Sequence, residues 1–310
     1  MDVWYDGTHG ISFYKYGTDE NPLGELIGHT WKKWGLIPKT RPFVVPPEKK
    51  ITTIDIPGAD GVLDVSESLT KWPVYNNRTG SWSFYVTDYN NHEGIIQDNN
   101  DQNVLDNVYD PIRDTTIDSW SGMYTRFLNS LHGKTLAIVL DDDPDYYYKG
   151  RVTISQWDSP NDGTLSEVTI SYDLYPYKLK REFEIIPISI ATPSAGNIAT
   201  GTVSFSGGRK PVVLQLRTES NNPATQNKFY LSFQNDEINE FSYSVSFDFH
   251  CNVWTNLEHV RGYDGSSWGY HDFIVTNLFG NNKCQFKVSC NSSVLSEVKK
   301  VEIRFRVGEL

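Results

Sequence analysis

Apolar and polar residues alternate along much of the chain with the period of a strand. Residues 51–56 (ITTIDI) alternate around β-branched side chains, and the Gly/Asp run at 57–61 (PGADG) supplies turn chemistry behind them. Residues 81–87 (SWSFYVT) put Trp82, Phe84 and Val86 on one face. Residues 135–140 (TLAIVL) and 146–154 (YYYKGRVTI) flank an acidic tip at 141–145 (DDDPD) and read as a hairpin, with a further strand over 165–174. One segment departs from this period. Over 118–133 the apolar residues Trp120, Met123, Tyr124, Phe127, Leu128 and Leu131 recur at helical spacing and form one stripe. Asp118 or Ser119 can cap that helix, and Gly133 can end it in a left-handed turn. In the C-terminal part, 212–217, 228–233, 240–249, 272–276, 284–289 and 298–307 read as strands between short turns, the pattern of an antiparallel sandwich.

Length and charge divide this pattern in two. A chain of 310 residues has the size of about two domains. Residues 1–188 hold 28 acidic and 17 basic side chains, whereas 189–310 hold 11 of each. The segment 187–202 (PISIATPSAGNIATGT) carries no charge and reads as a connection or a first edge strand, which places a boundary near 188. Within the first domain, 88–118 has eight acidic residues and one basic residue, Arg113. Its sparse apolar residues predict a long exposed insertion, either functional or merely tolerated.

Residue chemistry argues against an enzyme. Nucleophile-elbow, phosphate-loop and H-E-x-x-H motifs are absent, and the seven histidines are scattered. The expectation is therefore no catalytic residue, no cofactor and no metal. The tip Asp141, Asp142, Asp143 and Asp145 imitates the start of a calcium loop but lacks its Gly and Glu, so it reads as a solvated turn. No apolar run is long enough to span a bilayer, and MDVWYDGTHG lacks the layout of a secretory leader, so no membrane segment is expected. A net charge of -11 disfavours nucleic-acid binding through a basic surface.

Two sets of residues invite a binding role. The segment 254–272 gathers Trp254, Tyr263, Asp264, Trp268 and Tyr270, the aromatics and carboxylate that a flat sugar-binding face uses; the alternative is that these aromatics plug the end of the sandwich core. Trp31, Trp34 and Ile37 lie among Pro38, Pro42, Pro46 and Pro47. Either this segment is an arm laid against a neighbouring subunit, or its tryptophans pin a loop to their own core.

Longer strings carry a resemblance. WGLIP at 34–38, PGADGVLD at 57–64, NRTGS at 77–81, LHGK at 131–134, DDPDYYYKGR at 142–151 and PYK at 176–178 occur in that order. Over roughly 25–180, interrupted by the acidic insertion, the chain resembles the distal tail protein family of long-tailed bacteriophages and phage-tail-like particles. The resemblance implies a mainly β chain. Residues 1–188 would be a ring-forming β-sandwich or barrel domain with one α-helix, and 189–310 an antiparallel β-sandwich similar to galectins or carbohydrate modules. It also implies a virion structural protein at the tail tip, assembled as a homohexameric ring around the DNA channel. Its partners would be the tail tube protein, the tape-measure C-terminus, the tail-associated or receptor-binding proteins and, through the C-terminal sandwich, host cell-wall glycan. An acidic channel wall would let DNA pass without sticking or sequence reading.

Overall fold

The computed structural model describes residues 9–58, 60–68, 73–86, 120–158, 166–188, 197–204, 210–220, 227–235, 242–249, 252–256, 259–263, 268–272, 283–289 and 298–310. The acidic insertion 88–118 lies outside the described residues, as do Asp264, Cys251 and Cys290. The chain divides into two compact units, one of residues 1–49 with 75–178 and one of residues 50–74 with 179–310.

The first unit opens with β1 (Ile11–Tyr16) and β2 (Leu23–His29), a short helix α1 (Thr30–Trp34) and β3 (Leu36–Pro38). The segment 50–74 then carries β4 (Thr53–Asp55) and β5 (Val62–Asp64), which pair only with each other. The first unit continues with β6 (Arg78–Val86), helix α2 (Trp120–Leu131), β7 (Thr135–Leu140), β8 (Tyr146–Asp158) and β9 (Ser166–Leu174). Its strands pair antiparallel in the order β2-β1-β7-β8-β9-β6-β3. Alternation decides which face is covered: Ile11 and Phe13 of β1 are fully buried, while Ser12, Tyr14 and Tyr16 are half-buried and Lys15 is exposed.

The core under this sheet is aromatic and branched aliphatic. Trp34, Trp82, Phe84, Ile138, Val152, Val168 and Ile170 pack with Phe127 and Leu131 of α2. The C-terminal half of the helical stripe, Phe127, Leu128 and Leu131, is therefore a core face, and Gly133, at φ +71°, follows the helix end as expected. Arg78 is 4% exposed among these residues; its Nε donates to the Pro176 carbonyl at 2.6 Å, and its guanidinium lies 5.6 Å from the Tyr148 ring. Burial pushes its pKa below the usual arginine value, against the pull of the nearby tyrosines.

The second unit resumes at residue 179, within the short strand β10 (Lys178–Lys180), and continues with β11 (Glu184–Ile188). There follow β12 (Asn197–Ser204), β13 (Lys210–Ser220), β14 (Asn227–Asn235), β15 (Ser242–Phe249), β16 (Thr255–Asn256), β17 (His259–Tyr263), β18 (Trp268–Asp272), β19 (Lys283–Ser289) and β20 (Val298–Glu309). One antiparallel set runs β11-β20-β13-β16 and the other β12-β19-β14-β15-β17-β18. The uncharged segment around 197–204 is an edge strand rather than a bare connection. Residues 184–188, at the boundary expected near 188, pair with the C-terminal strand, and Pro187 is accommodated because β11 has a neighbour on one side only among the described strands. Arg306 is buried here, donates to the Lys180 and Arg181 carbonyls, and lies 4.1 Å from the Phe183 ring.

Candidate assembly and ligand surfaces

The acidic turn between β7 and β8 is an anchoring point. The tip is exposed, as expected, but it is not bare: distant cations and histidines converge on it. Asp142 accepts from Arg41 Nε and Nη2 at 2.8 and 2.9 Å and contacts His9 Nδ1 at 2.7 Å, and Asp143 accepts from Lys178 Nζ at 2.7 Å. Asp141 Oδ2 accepts from the Gly10 amide at 2.8 Å and from His29 Nε2 at 3.0 Å. A Cβ at Gly10 would lie 2.2 Å from His29 Cε1 and 2.7 Å from that carboxylate oxygen, so the close approach needs glycine. The two hydrogen bonds from Arg41, with help from His9, hold Asp142 below the usual carboxylate range.

His29 also starts α1. Its Nδ1 accepts from the amides of Trp31 and Lys32 at 3.1 and 3.2 Å, so the imidazole is the N-cap. Those two bonds require Nδ1 without a proton, and the bond to Asp141 requires Nε2 with one. Burial lowers the His29 pKa from 6.5, against the opposing pull of Asp141. Gly35, at φ +60°, closes the helix in the left-handed region.

The turn of α1 decides where the suggested arm residues go. Trp34 and Ile37 are 7% and 4% exposed, and Trp31 is half-buried. The Trp34 ring meets Phe13 at 6.0 Å and Phe127 at 5.1 Å, both edge-on. Trp34 and Ile37 are thus packed into this chain's own core.

The aromatics suggested for glycan binding fall in two places. Trp254 is half-buried beside β16, with the Arg304 guanidinium 4.3 Å from its ring and Arg217 at 5.8 Å. Tyr263, Trp268 and Tyr270 belong to the ribbon of β17 and β18, in the other sheet. The segment read as a loop is thus largely strand. Its register sets Tyr263 opposite Trp268 and Arg261 opposite Tyr270, which places all four on one face of the ribbon, with His259 and Asp272 next along it. Arg261, His259 and Asp272 escaped the sequence reading because only cross-strand register unites them with the aromatics.

Exposed apolar residues gather elsewhere. The β4–β5 hairpin and its flanks leave Ile51, Ile54, Ile56, Val62 and Leu63 between 45% and 70% exposed. The first unit also carries an open groove of about 830 Å³ bordered by Leu26, Ile27, Lys15, Lys33, Lys134 and Glu25. Among the described residues no cluster of three or more His, Cys, Asp or Glu is arranged to hold a metal ion, and no helix is long and apolar enough to cross a membrane.

These features sit on a fold seen before. A solved structure of the SPP1 Dit (gp 19.1) protein, described as a paradigm of hub adsorption apparatus in phages infecting Gram-positive bacteria, superposes with a TM-score of 0.53. The match covers 97% of this chain and 99% of that one, at 12% identity. The fold is that of a phage Dit protein. It is mainly β, in antiparallel sheets, as the strings and alternation implied. The Cry4Aa larvicidal toxin of Bacillus thuringiensis is aligned over 55% of this chain at a TM-score of 0.21, too slight a likeness to bear on the fold. No known family's sequence model matches the chain, and no curated protein matches it.

Proposed function

We propose that this chain is a virion structural protein, the hub at the distal end of a phage tail. Six copies form a ring that continues the tail tube, surrounds the DNA channel, and offers its outer face to the tail-tip and receptor-binding proteins. The observation that carries this reading is the end-to-end fold likeness to the SPP1 Dit protein, which spans nearly the whole of both chains. A partial likeness would fit a sandwich module of any function. The residues agree with a structural role: the histidines and aspartates brought together with Arg41 at the β7–β8 turn bond to one another, and His29 caps a helix. Light scattering on the purified chain is expected to give six times the 35.4 kDa subunit mass. Antibody labelling of particles is expected to mark the tail end. A monomer at every concentration, or particles without label, would refute the hub.

A second reading, glycan recognition by the second unit, is favoured by the β17–β18 register, which aligns Tyr263, Trp268, Tyr270 and Arg261 on one face. Flat aromatic faces stack on sugar rings, and neighbouring polar side chains bond the hydroxyls. Isothermal titration of the full chain with purified host-wall polysaccharide is expected to show binding that Trp268→Ala weakens about tenfold, a loss of roughly 1.4 kcal/mol. Unchanged affinity in Trp268→Ala removes this face as the site.

A further inference from the structure

The β4–β5 hairpin is in a position that a lone chain does not explain. Three cross-strand pairs, Thr53 with Asp64, Ile54 with Leu63 and Asp55 with Val62, hold it, and all six residues are exposed. A free two-stranded ribbon is marginal in water. Here it also holds large aliphatic side chains in solvent, the usual mark of a protein contact. Its chemistry is two-sided. Ile54 and Leu63 share one face, with Ile56 in phase, while Asp55 and Asp64 lie on the other, together with Thr53 and Val62; Asp60 stands at the turn. From Ile51 to Glu67 the segment carries four acids and no base.

The groove in the first unit has the complementary character. It runs beside β2, which pairs with β1 and ends the strand order of its unit. Leu26, Ile27 and Leu136 supply its aliphatic part, and Leu26 is 52% exposed. Lys15, Lys33 and Lys134 border it against a single acid, Glu25. An acidic, aliphatic ribbon and a basic, aliphatic groove beside a strand edge match in charge and in apolar content. Because they are different surfaces of one chain, their union is head-to-tail, the kind of contact that closes a ring.

We infer that the β4–β5 hairpin of one copy docks in the β2 groove of the next, setting Ile54 and Leu63 against Leu26 and Ile27 and the aspartates toward Lys15, Lys33 and Lys134. The inference rests on the self-assembly proposed above and names the surfaces that carry it.

The test uses the full chain. Ile54→Asp with Leu63→Asp is expected to raise the dissociation constant of the oligomer at least about a hundredfold, with the circular dichroism spectrum and melting temperature of the subunit unchanged. A charge swap, Asp55→Lys and Asp64→Lys combined with Lys15→Glu and Lys134→Glu, is expected to restore the assembly that either half alone weakens. Mixed copies, one carrying Ile54→Cys and the other Leu26→Cys with a different tag, are expected to give an oxidised cross-link between tags, absent when either is mixed with the unsubstituted chain. Assembly that survives Ile54→Asp/Leu63→Asp, or a cross-link that forms only within one copy carrying both cysteines, overturns the docking and leaves the ring standing. If the unsubstituted chain is monomeric, the ring is lost, and the mixed cross-link at high concentration decides the docking alone: its presence supports the contact and its absence overturns it.

Discussion

Trp34→Ala is expected to destabilise the first unit by about 4 kcal/mol, the scale of a large buried aromatic removed from a packed core. The indole is 93% covered and bridges elements remote in sequence, from Phe13 on β1 to Phe127 on α2. Neither ring can follow a receding side chain, because β1 is paired on both sides and α2 packs on the same cluster. The site therefore cannot collapse, and a cavity remains. Trp34→Phe is expected to cost far less: it keeps the edge-on contacts and removes an indole N–H that is buried without a hydrogen-bond partner among the described residues. Urea midpoints at constant m-value would show the two effects. If Trp34→Ala instead lowered the oligomer mass while leaving the midpoint alone, the residue would be a subunit contact, the arm role first considered for it.

Acid should loosen the same region through His29, and in a pH range of its own. The folded pKa lies below the unfolded 6.5, so the folded chain binds fewer protons there. The stability this contributes is complete above about 6.5 and drains as pH falls toward the folded value. The cause is geometric as well as dielectric: a proton on Nδ1 removes the acceptor that caps the Trp31 and Lys32 amides, and Lys32 adds a like charge. Asp142 behaves in the same direction but later. Its folded pKa is depressed below 3.8, so its share is present above that value and lost only below it. Melting temperature followed from pH 7 to 3 should fall in two stages. His29→Asn, which keeps a capping oxygen and does not titrate, should abolish the first stage. His29→Ala should cost about 3 kcal/mol at pH 7, from the lost cap and the lost bond to Asp141. A first stage that persists in His29→Asn would assign it to another group.

The features that could be read from sequence are those whose cause is local. The β7–β8 hairpin and α2 were legible because residues within one element alternate or recur with that element's own period. β2 was not legible: LGELIGH mixes two glycines with sparse apolar residues, and it becomes a strand because β1 offers it a partner edge. The short α1 had no periodic signal either; it stands on His29, a residue type that capping preferences do not favour. The aromatic set near 254–272 was noticed as composition, yet register divides it, leaving Trp254 against Arg304 and the tyrosines with Trp268 on a ribbon.

Order along the chain was enough to establish a mainly β protein with one long amphipathic helix, since backbone periodicity is written in neighbouring residues. Which apolar residues are covered was not so encoded. Trp34, which follows two lysines, and Ile54, between Thr53 and Asp55, are both large hydrophobes beside polar residues, but one fills the core and the other stands in solvent. Likewise four aspartates in a row of five gave no hint that His9, His29, Arg41 and Lys178 would gather on them. Burial and ion pairing between distant segments depend on how strands align across the sheet, and that alignment exists only once the chain has closed on itself.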